Sequence, residues 1–159
     1  MEALDAAGFV APLKQAAADG VPLIGICLGM QCAVIEFARN VAGLTNAHST
    51  EFKKTPYPVV DLMPDQRAVT EKGASMRLGA YQALLKKKSA AYQAYKSEKI
   101  TERHRHRYEF NNDFRDVLTK HGLLISGVSS DERLVEIIEI PAHPWFIGVQ
   151  FHPELTSRA

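Results

Sequence analysis

Cys27 is the residue of this sequence best placed to act as a nucleophile. It lies in the run 25–29, Gly-Ile-Cys-Leu-Gly, between an apolar stretch that predicts a strand and a segment with helical spacing. At such a junction the side chain is turned outward on a tight backbone, and the helix N-terminus favours the thiolate. A glycine is expected on each side because a Cβ there would collide with the neighbouring strand or helix. The pattern predicts a nucleophile elbow.

A histidine and a carboxylate near the other end of the chain complete a candidate catalytic set. The run 146–151 predicts a strand, so His152 and Glu154 are expected to project to one side at its C-terminal end. Pro153 fixes its own φ and biases His152 toward an extended conformation. A carboxylate beside an imidazole selects the tautomer whose other nitrogen can accept the thiol proton. Both halves of the set are therefore predicted at carboxyl ends of strands, where α/β proteins collect their chemistry.

Taken alone, each of these motifs is also compatible with a purely structural role. An isolated Gly-x-Cys-x-Gly or His-x-Glu occurs often in proteins without any catalytic role. Cys32, which lies inside the predicted helix and has no neighbouring base, is interpreted as a small core residue. The conjunction of the three groups is what favours chemistry at Cys27.

Two motifs of the chain resemble the signature blocks of class I glutamine amidotransferases. They are the run 25–31, Gly-Ile-Cys-Leu-Gly-Met-Gln, and the run 149–154, Val-Gln-Phe-His-Pro-Glu. Further blocks resemble the glutaminase domain of CTP synthase and follow one another in family order from about residue 21 to residue 157, with Arg-His-Arg-His-Arg-Tyr-Glu the most specific string among them. These blocks are 46–52, 58–63, 76–79, 103–112, 134–139 and 143–146.

The resemblance implies a cysteine-dependent glutamine amidohydrolase. By that resemblance Cys27 attacks the side-chain amide of glutamine, His152 acts as base and then protonates ammonia, and Glu154 orients His152. Water then releases glutamate from the thioester. The backbone N–H of Leu28 is the implied oxyanion donor.

The family also implies three residues that bind glutamine. These are Gln31, Glu51 for the substrate ammonium group and Arg107 for its carboxylate. A zwitterion needs one fixed charge of each sign, and the planar guanidinium group of arginine matches a carboxylate. Without the resemblance, a solvated surface salt bridge is the alternative interpretation of Glu51 and Arg107.

Several expected parts of the family pattern are not found in this sequence. The Pro-Gly-Gly-Phe-Gly loop, which supplies the other oxyanion donor, has no counterpart at the expected distance upstream of Cys27, and residues 1–20 form an atypical segment that predicts a helix. The first strands, the closing helix and the synthetase domain are also expected to be missing, which makes 1–159 a single partial domain. Residues 65–75 predict a mobile lid loop. A silent or engineered fragment, or a glutaminase subunit of another synthase, therefore stays open as an alternative.

The composition of the chain limits the classes of function that remain possible. The 159 residues are 46% hydrophobic and 23% charged with a net charge of +1, which fits one domain and argues against a general nucleic-acid binder. No apolar run predicts a membrane span or signal peptide, and two cysteines without a disulfide framework favour the cytoplasm.

His104 and His106 share a strand side without a third metal ligand, so no metal site is expected. The implied partners are glutamine and a synthetase domain in cis or in trans; ATP, Mg and UTP are expected only in that domain, and no cofactor in this one.

The alternation of predicted strands and helices indicates the α/β class. The expected architecture is class I glutamine amidotransferase-like, with a central, mostly parallel sheet, flanking helices and antiparallel additions. The predicted strands are 23–26, 59–62, 77–85, 107–110, 123–128, 134–140 and 145–151, and the predicted helices are 13–19, 28–41, 89–95 and 113–121.

Overall fold

The structure, a computed structural model, describes residues 15, 16, 18–63 and 76–157. The predicted lid loop at 65–75 and most of the N-terminal segment 1–20 lie outside these residues. Gln15, Ala16 and Ala18 are helical, and Gly20 follows with a φ of +66°, as expected of a glycine that ends a helix. No helix in the described part of the chain is long and apolar enough to cross a membrane.

The described elements follow the predicted α/β alternation. The strands are β1 (Leu23–Ile26), β2 (His48–Ser49), β3 (Pro58–Asp61), β4 (Arg77–Leu85), β5 (Lys99–His106), β6 (Glu109–Phe110), β7 (Leu124–Ser129), β8 (Val135–Glu139) and β9 (Phe146–Val149). The helices are α1 (Leu28–Asn40), α2 (Ala90–Tyr95) and α3 (Arg115–Lys120), with single 3-10 turns at Asn112–Phe114 and Pro153–Leu155.

The strands form two sheets. The larger has the order β1-β9-β8-β7-β4-β5, and the smaller has the order β2-β3-β6. In the larger sheet only β1 and β9 pair in parallel among the described strands, so the prediction of a mostly parallel sheet is wrong for this part of the chain. The connections from β7 to β8 and from β8 to β9 are short loops, and a parallel crossover needs a dozen or more residues. Those pairs are therefore antiparallel.

Strand β5 corrects a second prediction. A strand was expected at 107–110, but the long strand runs over Lys99–His106 and pairs antiparallel with β4, and only Glu109–Phe110 of the predicted range is extended. Burial alternates strictly along β5, and three of its four buried residues, Glu102, His104 and His106, are polar. A pattern based on hydrophobicity cannot detect such a strand because its buried face is not apolar.

The larger sheet carries apolar packing on both faces. All five residues of β8 are buried; Ile138 packs in one core cluster with α1, and Ile137 packs in a second cluster with Ala91 of α2. Helix α1 is buried around most of its circumference. This packing fixes β1, α1 and β9 firmly against one another, and the candidate nucleophile lies where they meet.

The two glycines that flank Cys27 differ in their surroundings. A Cβ added to Gly25 would lie 2.9 Å from the backbone carbon of Gly29 and 3.0 Å from the backbone nitrogen of Met30. A Cβ added to Gly29 would meet no atom within 4 Å. The expectation of a collision is thus confirmed at Gly25 and wrong at Gly29, because only Gly25 lies at the close approach of strand and helix.

This difference predicts opposite outcomes for two matched substitutions. Gly25→Ala should lower the free energy of unfolding by about 1–3 kcal/mol, because the obstacle is backbone that cannot rotate away. Gly29→Ala should leave the free energy unchanged or raise it, since alanine is the better helix former. Urea unfolding followed by circular dichroism measures both values. Equal losses in the two variants would contradict the close approach at Gly25.

Candidate active site

Cys27 occupies a strained turn between β1 and α1. Its φ is +51° and its ψ is −104°, values that non-glycine residues rarely adopt. Its N–H donates to the carbonyl of Val149 at 2.8 Å, and its own carbonyl accepts from Gln31 N–H at 3.2 Å. The predicted elbow is therefore present, and it is held from both β9 and α1.

The environment of the Cys27 thiol favours its protonated form. Burial raises the pKa of the thiol, and the negative charges of Glu109, Glu154 and Glu51 raise it further, whereas the N–H of Leu28 lowers it. The predicted effect of the helix N-terminus is present, since the N–H of Leu28 lowers the pKa of the thiol, but burial has the larger, opposite effect. Chemistry at this sulfur therefore requires a base.

His152 and Glu154 form the candidate base and its orienting partner. Nδ1 of His152 lies 2.7 Å from Oε1 of Glu154, so the carboxylate selects the tautomer with a proton on Nδ1 and leaves Nε2 as the acceptor. Strand β9 ends at Val149, and the pair is brought together by the 3-10 turn Pro153–Leu155 rather than by a continued strand. The N–H of His152 donates to the carbonyl of Arg103 at 2.8 Å, which fixes the turn to β5.

The structure places the two halves of the candidate set within electrostatic reach of each other, without a hydrogen bond between them in the described part of the chain. The charge of Glu154 acts on the thiol of Cys27. Among the described residues no hydrogen bond joins Cys27 Sγ to His152; the sulfur instead accepts from the N–H of Leu28 and from Nε2 of Gln150, the latter at 3.7 Å.

A cleft of about 690 Å³ opens beside Cys27 and is large enough for a small metabolite. The elbow and α1 form one wall, the end of the smaller sheet forms another, and the connection from β5 to β6 forms the third. Its lining includes every residue implied to bind or stabilise the substrate: Leu28, Gln31, Glu51 and Arg107, together with Phe52, Met76, Arg105, His106 and Tyr108.

Glu51 and Arg107 face this cleft as separate charges. Burial raises the pKa of Glu51, and the charge of Arg107 lowers it, so the Glu51 carboxylate lies within the electrostatic influence of Arg107. No ion pair joins them in the described part of the chain, and there Nε of Arg107 is buried without a hydrogen-bond partner. These observations argue against the alternative of a solvated salt bridge.

Gln31 is a buried part of the same wall. Its Nε2 donates to the carbonyl of Tyr108 at 3.0 Å and to Oε1 of Gln150 at 3.1 Å. Both amide hydrogens are therefore used inside the protein, and only the side-chain oxygen is free for a ligand. Gln150, which the sequence analysis did not single out, connects this wall to the nucleophile.

Glu102 is a second residue that sequence reasoning missed. It accepts hydrogen bonds from the hydroxyl of Tyr95 at 2.9 Å and from the hydroxyl of Thr156 at 2.6 Å. The Thr156 hydroxyl also contacts the carbonyl of Pro153 at 3.1 Å. Through these bonds β5 and α2 hold the turn that carries His152 and Glu154.

His104 and His106 belong to a buried polar cluster behind the cleft. Nδ1 of His104 lies 2.8 Å from Nε2 of His106, and Nδ1 of His106 lies 3.1 Å from the carbonyl of Tyr108. Arg77 completes the cluster with Glu136 at 2.8 Å and Glu109 at 3.4 Å. Within the described residues no three His, Cys, Asp or Glu side chains are grouped to hold a metal ion.

Burial and the charge of Arg77 keep both histidines neutral. Burial, followed by the Arg77 charge, lowers the pKa of His104 to about 2 and that of His106 to about 3. In the unfolded chain each would titrate near 6.5. Each histidine therefore contributes stability that is fully present above about pH 6.5 and is lost as the pH falls below that value.

A threonine substitution tests the support of the His152 turn. Thr156→Val should lower the free energy of unfolding by about 1–3 kcal/mol, because it leaves a buried carboxylate oxygen of Glu102 without a donor. Thr156→Ser keeps the hydroxyl and should lose less than half as much. Chemical denaturation of both variants provides the comparison, and a larger loss in the serine variant than in the valine variant would show that the methyl group, not the hydrogen bond, matters.

A pH comparison tests the neutral histidines. His104→Asn keeps a donor near the position of Nδ1 but cannot titrate. The advantage of the unmodified chain over this variant, measured as the free energy of unfolding, should shrink by about 1.4 kcal/mol between pH 7.5 and pH 5.5. An advantage that stays constant with pH would mean that His104 is not held neutral.

The chain is similar to a known family, to curated proteins and to solved structures. A model of the family "Glutamine amidotransferase class-I" matches residues 3–159. CTP synthase of Clostridium acetobutylicum is 59% identical over 152 residues, which make up 95% of this chain and 28% of that protein. CTP synthase of Caldanaerobacter subterraneus is 58% identical over 152 residues, again 95% of this chain and 28% of that protein. The chain thus spans little more than a quarter of these curated relatives.

Solved structures agree with the sequence comparison. The glutaminase domain of Trypanosoma brucei CTPS, with bound acivicin, superposes with a TM-score of 0.89 at 40% identity, covering 96% of this chain and 60% of that one. A glutamine amidotransferase of Thermotoga maritima has a TM-score of 0.60 at 13% identity, covers 91% of this chain and 46% of that one, and shares the fold. Since the family model matches almost the whole sequence, the chain belongs to the class I glutamine amidotransferase family, in which it is similar to the glutaminase part of CTP synthases.

Proposed function

We propose that the chain hydrolyses the side-chain amide of glutamine through a cysteinyl thioester and supplies ammonia for the amination of UTP to CTP. One observation carries the first half of this proposal. A single cleft combines the Cys27 elbow with an acidic and a basic side chain, Glu51 and Arg107, that do not neutralise each other. This arrangement fits a zwitterion with a reactive amide at its far end.

Binding uses the charges of the cleft. Glu51 pairs with the substrate ammonium group, and Arg107 pairs with its carboxylate, giving the buried Nε a partner. The side-chain oxygen of Gln31 is available to the substrate, since its nitrogen is already engaged. Substrate held at both charges presents its amide carbon to the sulfur of Cys27.

The chemical steps follow from the protonation states of the site. Nε2 of His152 accepts the thiol proton while Sγ of Cys27 attacks the amide carbon, and the new oxyanion lies near the N–H of Leu28. His152 then gives the proton to the departing nitrogen, which leaves as ammonia. Water, activated by the same imidazole, hydrolyses the thioester and releases glutamate and free thiol. Glu154 holds the imidazole and stabilises its charged form.

The second half of the proposal rests on the relatives. Both curated relatives are named CTP synthase, and the chain matches 28% of each, so the synthetase function belongs to residues beyond this match. We propose that a synthetase domain in cis or in trans receives the ammonia and binds ATP, Mg and UTP, whereas the glutaminase step needs no cofactor. A reducing cytoplasm suits the two cysteines of the described residues, both of which are free.

The test is glutamate release from glutamine by the purified chain. Cys27→Ala should reduce turnover by at least about 1000-fold, because no other group in the described lining of the cleft can form the thioester. Cys32→Ala is the matched control; this cysteine is 2% exposed inside α1 and does not line the cleft, so turnover should persist.

Thiol labelling distinguishes an inactive fold from an inactive preparation. Diazo-oxo-norleucine, an electrophile with the shape of glutamine, should modify Cys27 much faster than Cys32, and glutamine should protect Cys27. A folded chain without turnover and with slow, equal labelling of both cysteines would contradict the proposal. That result would favour the alternative of a catalytically silent fragment.

A further inference from the structure

We propose that Gln150 is a catalytic residue whose side-chain amide donates a hydrogen bond to the sulfur of Cys27 and stabilises the thiolate before attack. This inference rests on the proposed function for its biological meaning. Its physical content concerns the thiol alone and can be tested without any turnover of glutamine.

Strand pairing places Gln150 beside the nucleophile. Strands β1 and β9 run in parallel, with Ile26 opposite Val149, and the N–H of Cys27 donates to the carbonyl of Val149 at 2.8 Å. The residue that follows β9 is Gln150, whose side chain is completely buried. Its Nε2 lies 3.7 Å from Sγ of Cys27, within the longer range of hydrogen bonds to sulfur.

A backbone carbonyl fixes which end of the Gln150 amide faces the sulfur. The carbonyl of Tyr108 can only accept, so the atom of Gln31 that lies 3.0 Å from it is the side-chain nitrogen. That nitrogen then requires an acceptor in Gln150, which must be Oε1, at 3.1 Å. The remaining NH₂ group of Gln150 therefore points at Cys27.

The hydrogen bond from Gln150 opposes the groups that disfavour the thiolate of Cys27. Burial and the charges of three carboxylates, Glu109, Glu154 and Glu51, disfavour the thiolate, and the N–H of Leu28 is the other donor acting on the sulfur. If Leu28 turns to the substrate oxyanion during attack, its support of the thiolate is lost at that moment. Gln150 cannot make this exchange, because its other end is held by Gln31, and it continues to donate to the sulfur.

The direct test measures the alkylation rate of Cys27 by iodoacetamide as a function of pH. Gln150→Glu keeps the shape but places a carboxylate beside the sulfur, and Gln150→Met removes all polarity. We expect the apparent pKa of the thiol to rise by at least about one unit in the glutamate variant, with about tenfold slower alkylation near pH 7. The methionine variant should shift in the same direction by less. Gln93→Glu, on the exposed side of α2, controls for added charge.

Two outcomes separate this inference from the proposed function. Folded Gln150 variants with an unchanged alkylation profile would overturn the inference, even if the chain hydrolyses glutamine. A shifted profile in a chain that never releases glutamate would support the inference and contradict the proposed function.

A measurement on the unmodified chain covers the case in which both variants fail to fold. The side-chain amide protons of Gln150, followed by nitrogen-15 NMR, should shift with the same apparent pKa that the alkylation of Cys27 reports. Amide resonances that do not respond as Cys27 ionises would overturn the inference without any substitution.

Discussion

The close approach between β1 and the first turn of α1 is the constraint on which the rest of the site depends. Gly25 allows it, because any Cβ there would lie 2.9 Å from helix backbone. With so little room, the chain must reverse at Cys27 with a φ of +51°, which turns the thiol outward. The parallel pairing of β1 with β9 then delivers the residues that follow β9 to the same place. One packing contact thus positions both halves of the candidate machinery.

A site built this way must accommodate many buried polar groups. The Arg77 cluster and Glu102 are buried and the thiol of Cys27 is partly buried, and buried charge is costly unless it is paired and hydrogen-bonded. Hydrogen bonds that also set positions offset part of that cost: Glu102 holds Thr156, and Arg77 holds Glu136. One carboxylate oxygen of Glu109 and one of Glu136 are nevertheless buried without a hydrogen-bond partner within the residues that the structure describes. The polar groups behind the cleft therefore stabilise the fold and orient the turn that carries His152 and Glu154 at the same time.

The polar interior also explains what the sequence could and could not predict. The strands at 23–26 and 77–85 and the helix that starts at Leu28 follow apolar patterns, and the structure places them as predicted. Strand β5 was missed because Glu102, His104 and His106 fill its buried face. Glu102 and Gln150 were missed for a related reason: their roles depend on contacts with residues far away in the sequence. Motifs predicted the candidate reactive groups, whereas the groups that contact and hold them became visible only in three dimensions.

The separation of Glu51 from Arg107 is the last consequence of this architecture. Glu51 follows β2 and Arg107 precedes β6, so both residues are positioned by strands of the smaller sheet. If the two groups formed a salt bridge, a ligand would first have to break that pair. Held apart, with Nε of Arg107 buried and without a partner among the described residues, they keep complementary charges available to a zwitterion. Folding thus positions both charges before a ligand binds. The ligand then spends little binding free energy on ordering these two side chains, because the β-strands that build the cleft already hold them.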